Sequence, residues 1–434
     1  MRLKEELIQL SGRQIAVSGQ ERKDYPSNFD QIAAITLHDT TYHCNRCGSI
    51  CNSFLPGKIA YCRECIGLGR VSSADFLMRI KRENILPKKE HVLAWKGTLT
   101  PAQATVSQEL IASYSMRSNH LVHAVTGAGK TEMLFAVVAK ALESGGRVAL
   151  ATPRIDVVNE LAPRFAAAFC QIQLGKYHGK DYQEPADDDL VICTTHQLLK
   201  FYQAFDLVII DEVDAFPYRD SDLLAFGAKN AQKNGGCTFY LTATPSKAQL
   251  LEVKQQKINY SLLRRRFHGF DLPVPQAKLL LLPSINKHGK INKKVLLQIR
   301  KLVSLNKPLM IFVPKIRQLE NYLSQLEYNF ANKQVASVHA ADADRLAKIE
   351  AFRNGQLDIL LTTTILERGV TIKEAQVIVL DADDRIYNTA SLVQIAGRVG
   401  RSANDPSGNV LFFYHEFRAT ISDAIKQIKG MNRL

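Results

Sequence analysis

Residues 124–131 read Ala124-Val-Thr-Gly-Ala-Gly-Lys-Thr131, and this stretch decides the fold. A run of apolar residues, Asn119–Ala124, precedes it and predicts a strand. The amphipathic stretch Thr131–Glu143 follows and predicts a helix. A glycine-rich turn between strand and helix is how a chain cradles phosphate. Gly127 and Gly129 let the backbone of Thr126–Gly129 (Ala128 among them) turn its N–H groups inward, and the helix N-terminus adds positive potential. Lys130 is placed to reach the β- and γ-phosphates of ATP, and Thr131 to ligate Mg²⁺. The strict pattern has glycine where Ala124 stands.

Outward from this loop, short apolar runs alternate with amphipathic helices. Strands are predicted at Arg147–Ala151, Leu190–Cys193, Leu207–Ile210 and Thr238–Leu241, with a further helix at Asp156–Ala168. The alternation resumes after the proline-containing stretch Asp271–Gln276, with strands at Leu309–Val313, Val335–His339, Ile359–Thr363, Val377–Leu380 and Val410–Phe413. Such alternation implies a parallel sheet covered on both faces. The fold class expected is α/β, with two tandem RecA-like parallel-sheet domains. No strong residue-level repeat relates the halves.

Two further motifs fall at the carboxyl ends of predicted strands, where open α/β sheets bind ligands, and a third lies in the second domain. Leu207-Val-Ile-Ile-Asp-Glu-Val-Asp214 ends in carboxylates. Asp211 is the candidate to hold Mg²⁺ and Glu212 to polarise the attacking water. Thr242-Ala-Thr-Pro245 offers the hydroxyls of Thr242 and Thr244, candidates to link the ATP site to a bound strand. Gln394-Ile-Ala-Gly-Arg-Val-Gly-Arg401 lies in the second domain. Arg398 and Arg401, three apart, are expected on one helical face, from which closure of the second domain on the first would neutralise charge in the transition state.

The N-terminal third carries a different signal. Cys44-x₂-Cys47 and Cys62-x₂-Cys65, fourteen residues apart, form a strong zinc pattern. Four thiolates leave no open coordination position, so a Zn²⁺ ion there is structural. Cys51 is a spare thiol that could compete as a ligand. Cys170, Cys193 and Cys237 sit among apolar neighbours and read as reduced core residues. Ser73 reads as an N-cap before a helix at Ala74–Arg82. The domains expected are an N-terminal segment 1–40, a zinc module 41–70, a linker 71–96, a first motor domain 97–270, a linker 271–276 and a second motor domain 277–434.

The chain of 434 residues carries 56 basic and 42 acidic side chains, a net +14. The excess is +5 in residues 1–96, +1 in 97–270 and +8 in 271–434. A surplus of this size points to a polyanionic partner, and its distribution assigns contacts to the two ends of the chain. Met1–Leu10 lacks the apolar core of a signal peptide, and no apolar run approaches the ~18 residues of a membrane span, so a cytoplasmic location is expected.

The ordered set GAGKT, DEVD, TATP, Thr362–Ile372 and QIAGRVGR resembles motifs I, II, III, V and VI of superfamily 2 helicases. The resemblance spans about residues 99–402. It implies that Gln103, in Leu99-Thr-Pro-Ala-Gln103, contacts adenine, and that Gln394 joins the catalytic set. It also implies that Arg154, Thr195, His339, Thr363 and Gly369 touch nucleic acid. With a four-cysteine module ahead of the motor, the chain resembles the bacterial ComFA family, and more distantly the helicase PriA, whose zinc module lies within its second motor domain. The ComFA resemblance implies a motor drawing single-stranded DNA through a ComEC-like membrane channel with a ComFC-like cytoplasmic partner, peripheral to the inner membrane face. Other readings stay open: an RNA or replication-restart helicase, or an ATP-switched nucleic-acid-binding scaffold of a membrane complex.

Overall fold

Helices and strands form where local sequence and burial agree. The computed structural model describes residues 10–25, 29–79, 89–179, 186–367, 372–402 and 405–433. It divides into two compact units, residues 1–123 with 130–262, and residues 124–129 with 263–434.

The first unit begins with small antiparallel sheets. Strands β1 (Gln14–Ser18), β2 (Asp30–Ala33) and β7 (Asp75–Arg79) form a three-stranded sheet in the order β1-β7-β2. Two hairpins lie between them in sequence, β3 (Ile35–His38) with β4 (Thr41–Cys44), and β5 (Ser53–Leu55) with β6 (Ile59–Tyr61). The helix expected at Ala74–Arg82 is therefore corrected to a strand as far as Arg79, beyond which residues 80–88 lie outside the described ones. Ser73 caps nothing helical; its hydroxyl accepts from the Ala60 amide. Paired on both edges, β7 buries Leu77 and Met78 completely.

The same unit holds a seven-stranded sheet built on parallel pairings. Its strands are β8 (His120–Ala124), β9 (Val148–Thr152), β10 (Leu174–Tyr177), β11 (Leu190–Thr194), β12 (Phe205–Ile210), β13 (Gln232–Thr242) and β14 (Asn259–Leu263), in the order β10-β11-β9-β12-β13-β8-β14. Strand β9, Val-Ala-Leu-Ala-Thr, is buried at every position, as a parallel strand covered on both faces must be. Helix α1 (Pro101–Ser115) starts where Thr100 and Gln103 make a capping box and Pro101 supplies a fixed φ. Helices α2 (Lys130–Glu143) and α3 (Ile155–Ala168) follow β8 and β9. Cys193 and Cys237 are buried, but Cys170 is exposed, because it follows the last turn of α3.

The second unit carries a six-stranded sheet of β15 (Gln276–Leu279), β16 (Leu309–Phe312), β17 (Val335–Val338), β18 (Ile359–Thr362), β19 (Gln376–Val379) and β20 (Val410–Tyr414), in the order β15-β20-β19-β16-β18-β17. All five neighbouring pairs in it are parallel. Its core includes Ile299, Ile311, Tyr322, Leu361 and Ile378, from helices and strands together. The stretch Asp271–Gln276 is pinned within this unit: the Leu272 amide donates to Asn432 Oδ1 at 2.9 Å, and Asn432 Nδ2 returns a bond to the Leu272 carbonyl. These sheets are the two RecA-like layers expected from the alternation.

Candidate functional site

The phosphate loop closes β8 and opens α2. Gly127 and Gly129 both take positive φ, 77° and 72°, which L-residues reach only under strain. Thr126 and Ala128 are buried, and the Ala128 amide turns back on the Val125 carbonyl. Lys130 and Thr131 are the first residues of α2. Lys130 Nζ lies 3.1 Å from Asp211 Oδ1. Burial opposes the charge of Lys130, but Asp211, Glu212 and Asp214 outweigh it, so its pKa stands above the ordinary lysine value.

The carboxylates follow β12 directly. The Asp211 amide is fixed on the Ala151 carbonyl, and Asp211 Oδ1 also accepts from the Glu212 amide at 2.9 Å. Glu212 takes φ 56°, a left-handed conformation that costs a non-glycine residue roughly 1–3 kcal/mol. Strain of this kind next to carboxylates suits a site shaped for chemistry. Asp211 lies beside Lys130, and Thr131 is the next residue of the chain, so the two offer oxygen donors of the kind that suits Mg²⁺.

Asp214, passed over as a functional residue in the sequence, is the hub of the next element. Its two carboxylate oxygens accept separately from Thr242 Oγ1 at 2.8 Å and Thr244 Oγ1 at 2.7 Å. The Thr244 amide donates to Thr242 Oγ1. Asp214 and the hydroxyls at the end of β13 are thus one hydrogen-bonded assembly, two residues along the chain from Glu212. The signal in the sequence was the third acidic residue of DEVD together with two threonines two apart.

Other candidates fall into place unevenly. Gln103 is buried, and its Oε1 accepts from the Thr100 amide as half of the capping box. Arg154 precedes α3 and pairs with Asp156 at 3.0 Å. Thr195 is fully buried after β11, so its hydroxyl faces protein. His339 follows β17 and accepts from the Ala341 amide through Nδ1. Thr363 follows β18 and is nearly buried. Gly369 lies outside the described residues.

Gln394 is buried in the helix Thr389–Ala396. Arg398 and Arg401 do not share a helical face. The helix ends at Ala396, and the chain turns through Gly397 to Gly400, the latter at φ 68°. A glycine at that angle cannot continue a helix, so both arginines lie on an irregular turn. Arg398 Nε donates to the Glu367 carbonyl, and Arg401 Nε to the Gly397 carbonyl, each at 3.1 Å.

The cysteine cluster is the second site. The four sulfurs of Cys44, Cys47, Cys62 and Cys65 lie within 4.8 Å of one another, all buried. Cys44 Sγ stands 3.9 Å from Cys65 Sγ, and Cys47 Sγ 3.5 Å from Cys62 Sγ. A tetrahedron with Zn–S bonds of about 2.3 Å has edges of about 3.8 Å, so the set fits Zn²⁺. Cys51 is buried but outside the four; its sulfur lies 3.8 Å from the Ser49 carbonyl. Arg46 donates from Nε to Cys65 Sγ at 3.2 Å and from Nη2 to the Cys65 carbonyl, which suits a cluster of negative thiolates.

The cluster is built into the motor. Its apolar core includes Leu199 and Leu224, which follow β11 and β12, with Tyr218 packed beside them. Gln14 Nε2 donates to the Leu199 carbonyl at 3.0 Å, and the Arg13 guanidinium lies over the rings of Tyr177 and Phe201.

Comparisons agree with this geometry. Residues 25–79 match the family described as the Competence protein ComFA N-terminal domain. Residues 96–247 match the Type III restriction enzyme res subunit family, and 292–403 the Helicase conserved C-terminal domain. The chain is 43% identical to Competence protein ComFA of Streptococcus pneumoniae over 93% of both chains. It is 40% identical to that of Bacillus subtilis, over 92% of this chain and 88% of the relative. Among solved structures, it resembles a Mycobacterium smegmatis helicase Lhr bound to ssDNA and AMP-PNP, with TM-score 0.55, 19% identity and coverage of 77% and 48%. It also resembles S. cerevisiae Dbp5 bound to RNA and ADP BeF3, with TM-score 0.54, 15% identity and coverage of 77% and 92%. These two likenesses speak to the fold.

Proposed function

Since the chain belongs to the ComFA family, a competence-associated, helicase-like ATPase stimulated by nucleic acid, we propose that it is a motor that translocates on single-stranded DNA. The work it performs is uptake of transforming DNA, from the cytoplasmic face of the membrane, through a ComEC-like channel and beside a ComFC-like partner. No helix among the described residues is long and apolar enough to cross a membrane. The net charge of +14 supports a polyanionic track held mainly by its phosphates.

The observation that carries this reading is the Asp214 assembly. The Asp214 carboxylate, two residues after Glu212, accepts from the hydroxyls of Thr242 and Thr244 at the end of the next strand. A strand bound at Thr244 thereby acts through the Asp214 side chain on the segment that carries Asp211 and Glu212. Thr126–Gly129 and Lys130 hold the phosphates, and Gln103 lies toward the adenine. Thr131 and Asp211 would hold Mg²⁺, which would supply positive charge against the phosphates. Glu212 orients the attacking water. Arg398 and Arg401, with Gln394 on the helix that precedes them, meet the charge that develops at the γ-phosphate. Arg154, His339, Thr363 and Gly369 are the residues assigned to the strand path; Thr195, fully buried, makes no contact with the strand and supports the segment from beneath.

Steady-state ATP turnover with and without single-stranded DNA, RNA or duplex tests the proposal. Stimulation by single-stranded DNA, together with ATP-dependent displacement of streptavidin from a biotinylated strand end, is expected. Stimulation by RNA alone would favour an RNA helicase. Tight DNA binding with unstimulated turnover would favour the switched scaffold.

A further inference from the structure

The run Arg264-Arg265-Arg266 drew no attention in the sequence, yet Arg266 is among the most deeply buried charges of the second unit, 3% exposed. Its guanidinium is spent on backbone. Nη1 donates to the Val399 carbonyl at 2.6 Å and to the Gly400 carbonyl, and Nη2 to the Gly397 carbonyl at 3.3 Å. His268 adds a bond from Nε2 to the Gly400 carbonyl at 3.1 Å, and its Nδ1 accepts from the Phe270 amide, so one neutral tautomer satisfies both. Four donations thus converge on three carbonyls of the turn that carries Arg398 and Arg401. Gly397 Oxygen is shared with Arg401 Nε, which ties the reach of Arg401 to the same atom.

The segment bearing Arg266 also touches the phosphate loop. The Phe267 amide donates to the Gly127 carbonyl at 3.2 Å, and the Val125 amide to the Leu263 carbonyl at 3.1 Å. A Cβ added at Gly127 would sit 3.8 Å from the Arg266 side chain. On the other side, a Cβ at Gly397 would stand 1.9 Å from Thr126 Oγ1, and one at Gly400 would strike the Pro406 carbonyl and Arg266 Nη1. The turn is therefore packed where no side chain fits, with Arg266 as its bracket.

Stability alone does not account for this arginine. Among the described residues no carboxylate pairs with it, and burial, then the like charge of Arg401, both lower its pKa. A buried cation without an ion-pair partner is costly, and its retention points to a task. An irregular turn of this kind has no ladder of its own to fix it, so the three carbonyls need outside donors to hold one shape.

We infer that Arg266 is a positioning residue for ATP hydrolysis: it sets the shape of the Gly397–Arg401 turn against the phosphate loop, so that Arg398 and Arg401 meet the γ-phosphate in register. The inference rests on the proposed role of those two arginines. It assigns Arg266 no contact with the reacting atoms.

The test is a double-mutant cycle on the full chain, read as the kcat and KM of DNA-stimulated ATP turnover, with melting temperature and single-stranded DNA affinity as controls. Arg266→Ala is expected to lower kcat by about 10²-fold, the scale of a 1 Å misplacement, with KM for ATP nearly unchanged. The double variant Arg266→Ala/Arg401→Ala is expected to be no slower than Arg401→Ala alone, since both changes remove the same contribution. Arg266→Lys, which keeps the charge but reaches fewer carbonyls, is expected to fall between, and it serves if the alanine variant folds poorly. Wild-type kcat in a folded Arg266→Ala or Arg266→Lys overturns the inference. So does a double variant whose loss is the product of the two single losses. Wild-type turnover in Arg401→Ala instead overturns the arginine role itself, whatever Arg266→Ala does.

Discussion

Replacing Asp214 tests the link between the ATP carboxylates and the threonine hydroxyls. Asp214 is nearly buried, and Thr242 is wholly so. Each hydroxyl donates to its own carboxylate oxygen, at 2.8 and 2.7 Å. Hydrogen bonds to a charged acceptor contribute about 1.5–3 kcal/mol each, and an unsatisfied buried hydroxyl costs about 1–3 kcal/mol. Asp214→Ala strands two hydroxyls, of which Thr242 has no route to water, so a loss of about 3–5 kcal/mol in unfolding free energy is expected. Asp214→Asn keeps one acceptor oxygen and offers an amide to the second hydroxyl; it gives up the charge and is expected to cost about 1–2 kcal/mol. Urea denaturation of the first unfolding transition measures both. The functional readout is the ratio of DNA-stimulated to basal ATP turnover, which is expected to drop further than either nucleotide or DNA affinity. Thr244→Val is expected to share the defect without adding to it in the double variant. An unchanged ratio in a destabilised Asp214→Asn would refute the coupling role and leave Asp214 a structural residue. Unchanged stability in Asp214→Ala would refute the energetic argument as well.

Glu212→Gln is expected to bind ATP with near wild-type affinity and lose turnover, whereas Lys130→Ala weakens nucleotide binding too; fluorescent nucleotide titration beside a phosphate-release assay separates them. Cys62→Ala is expected to abolish binding of one zinc per chain and loosen the first unit around Leu199 and Leu224, while Cys51→Ala retains the metal; elemental analysis with limited proteolysis reads both. His120 is buried between Ser113 and Ser261, at 2.8 and 2.7 Å, and burial depresses its pKa from 6.5 to about 4. The unfolded state then binds more protons between those values, so the contribution is full above pH 6.5 and is lost as pH falls toward 4. The loss amounts to about 3 kcal/mol at most. Urea midpoints measured from pH 7 to 4.5 should fall in wild type and flatten in His120→Asn; parallel curves for the two proteins would exclude His120 as the source.

The sequence by itself determined what short-range pattern can carry. A glycine-rich turn between an apolar run and an amphipathic one has one good solution, so the phosphate loop, its strand and its helix were legible. So were the two parallel sheets, because fully apolar strands between amphipathic helices need cover on both faces. Two CxxC pairs define four ligands without further context, and the structure brings their sulfurs together. Tertiary structure decided the rest. Asp75–Arg79 is a strand because β1 and β2, distant in sequence, claim its edges; three apolar residues between Asp75 and Arg79 do not reveal whether partners exist. Arg398 and Arg401 lie beyond the helix because it ends at Ala396, and the turn that follows, with Gly400 at a positive φ, is shaped by packing against Thr126, Pro406 and Arg266. Cys170 is exposed because α3 ends beside it, whatever its neighbours in sequence. The Asp214 assembly, the Arg46 donation to Cys65 and the Arg266 bracket join residues 28–30, 19 and 131–134 positions apart. Hydrogen bonds over such separations follow from how the chain folds back on itself, and no local periodicity encodes them.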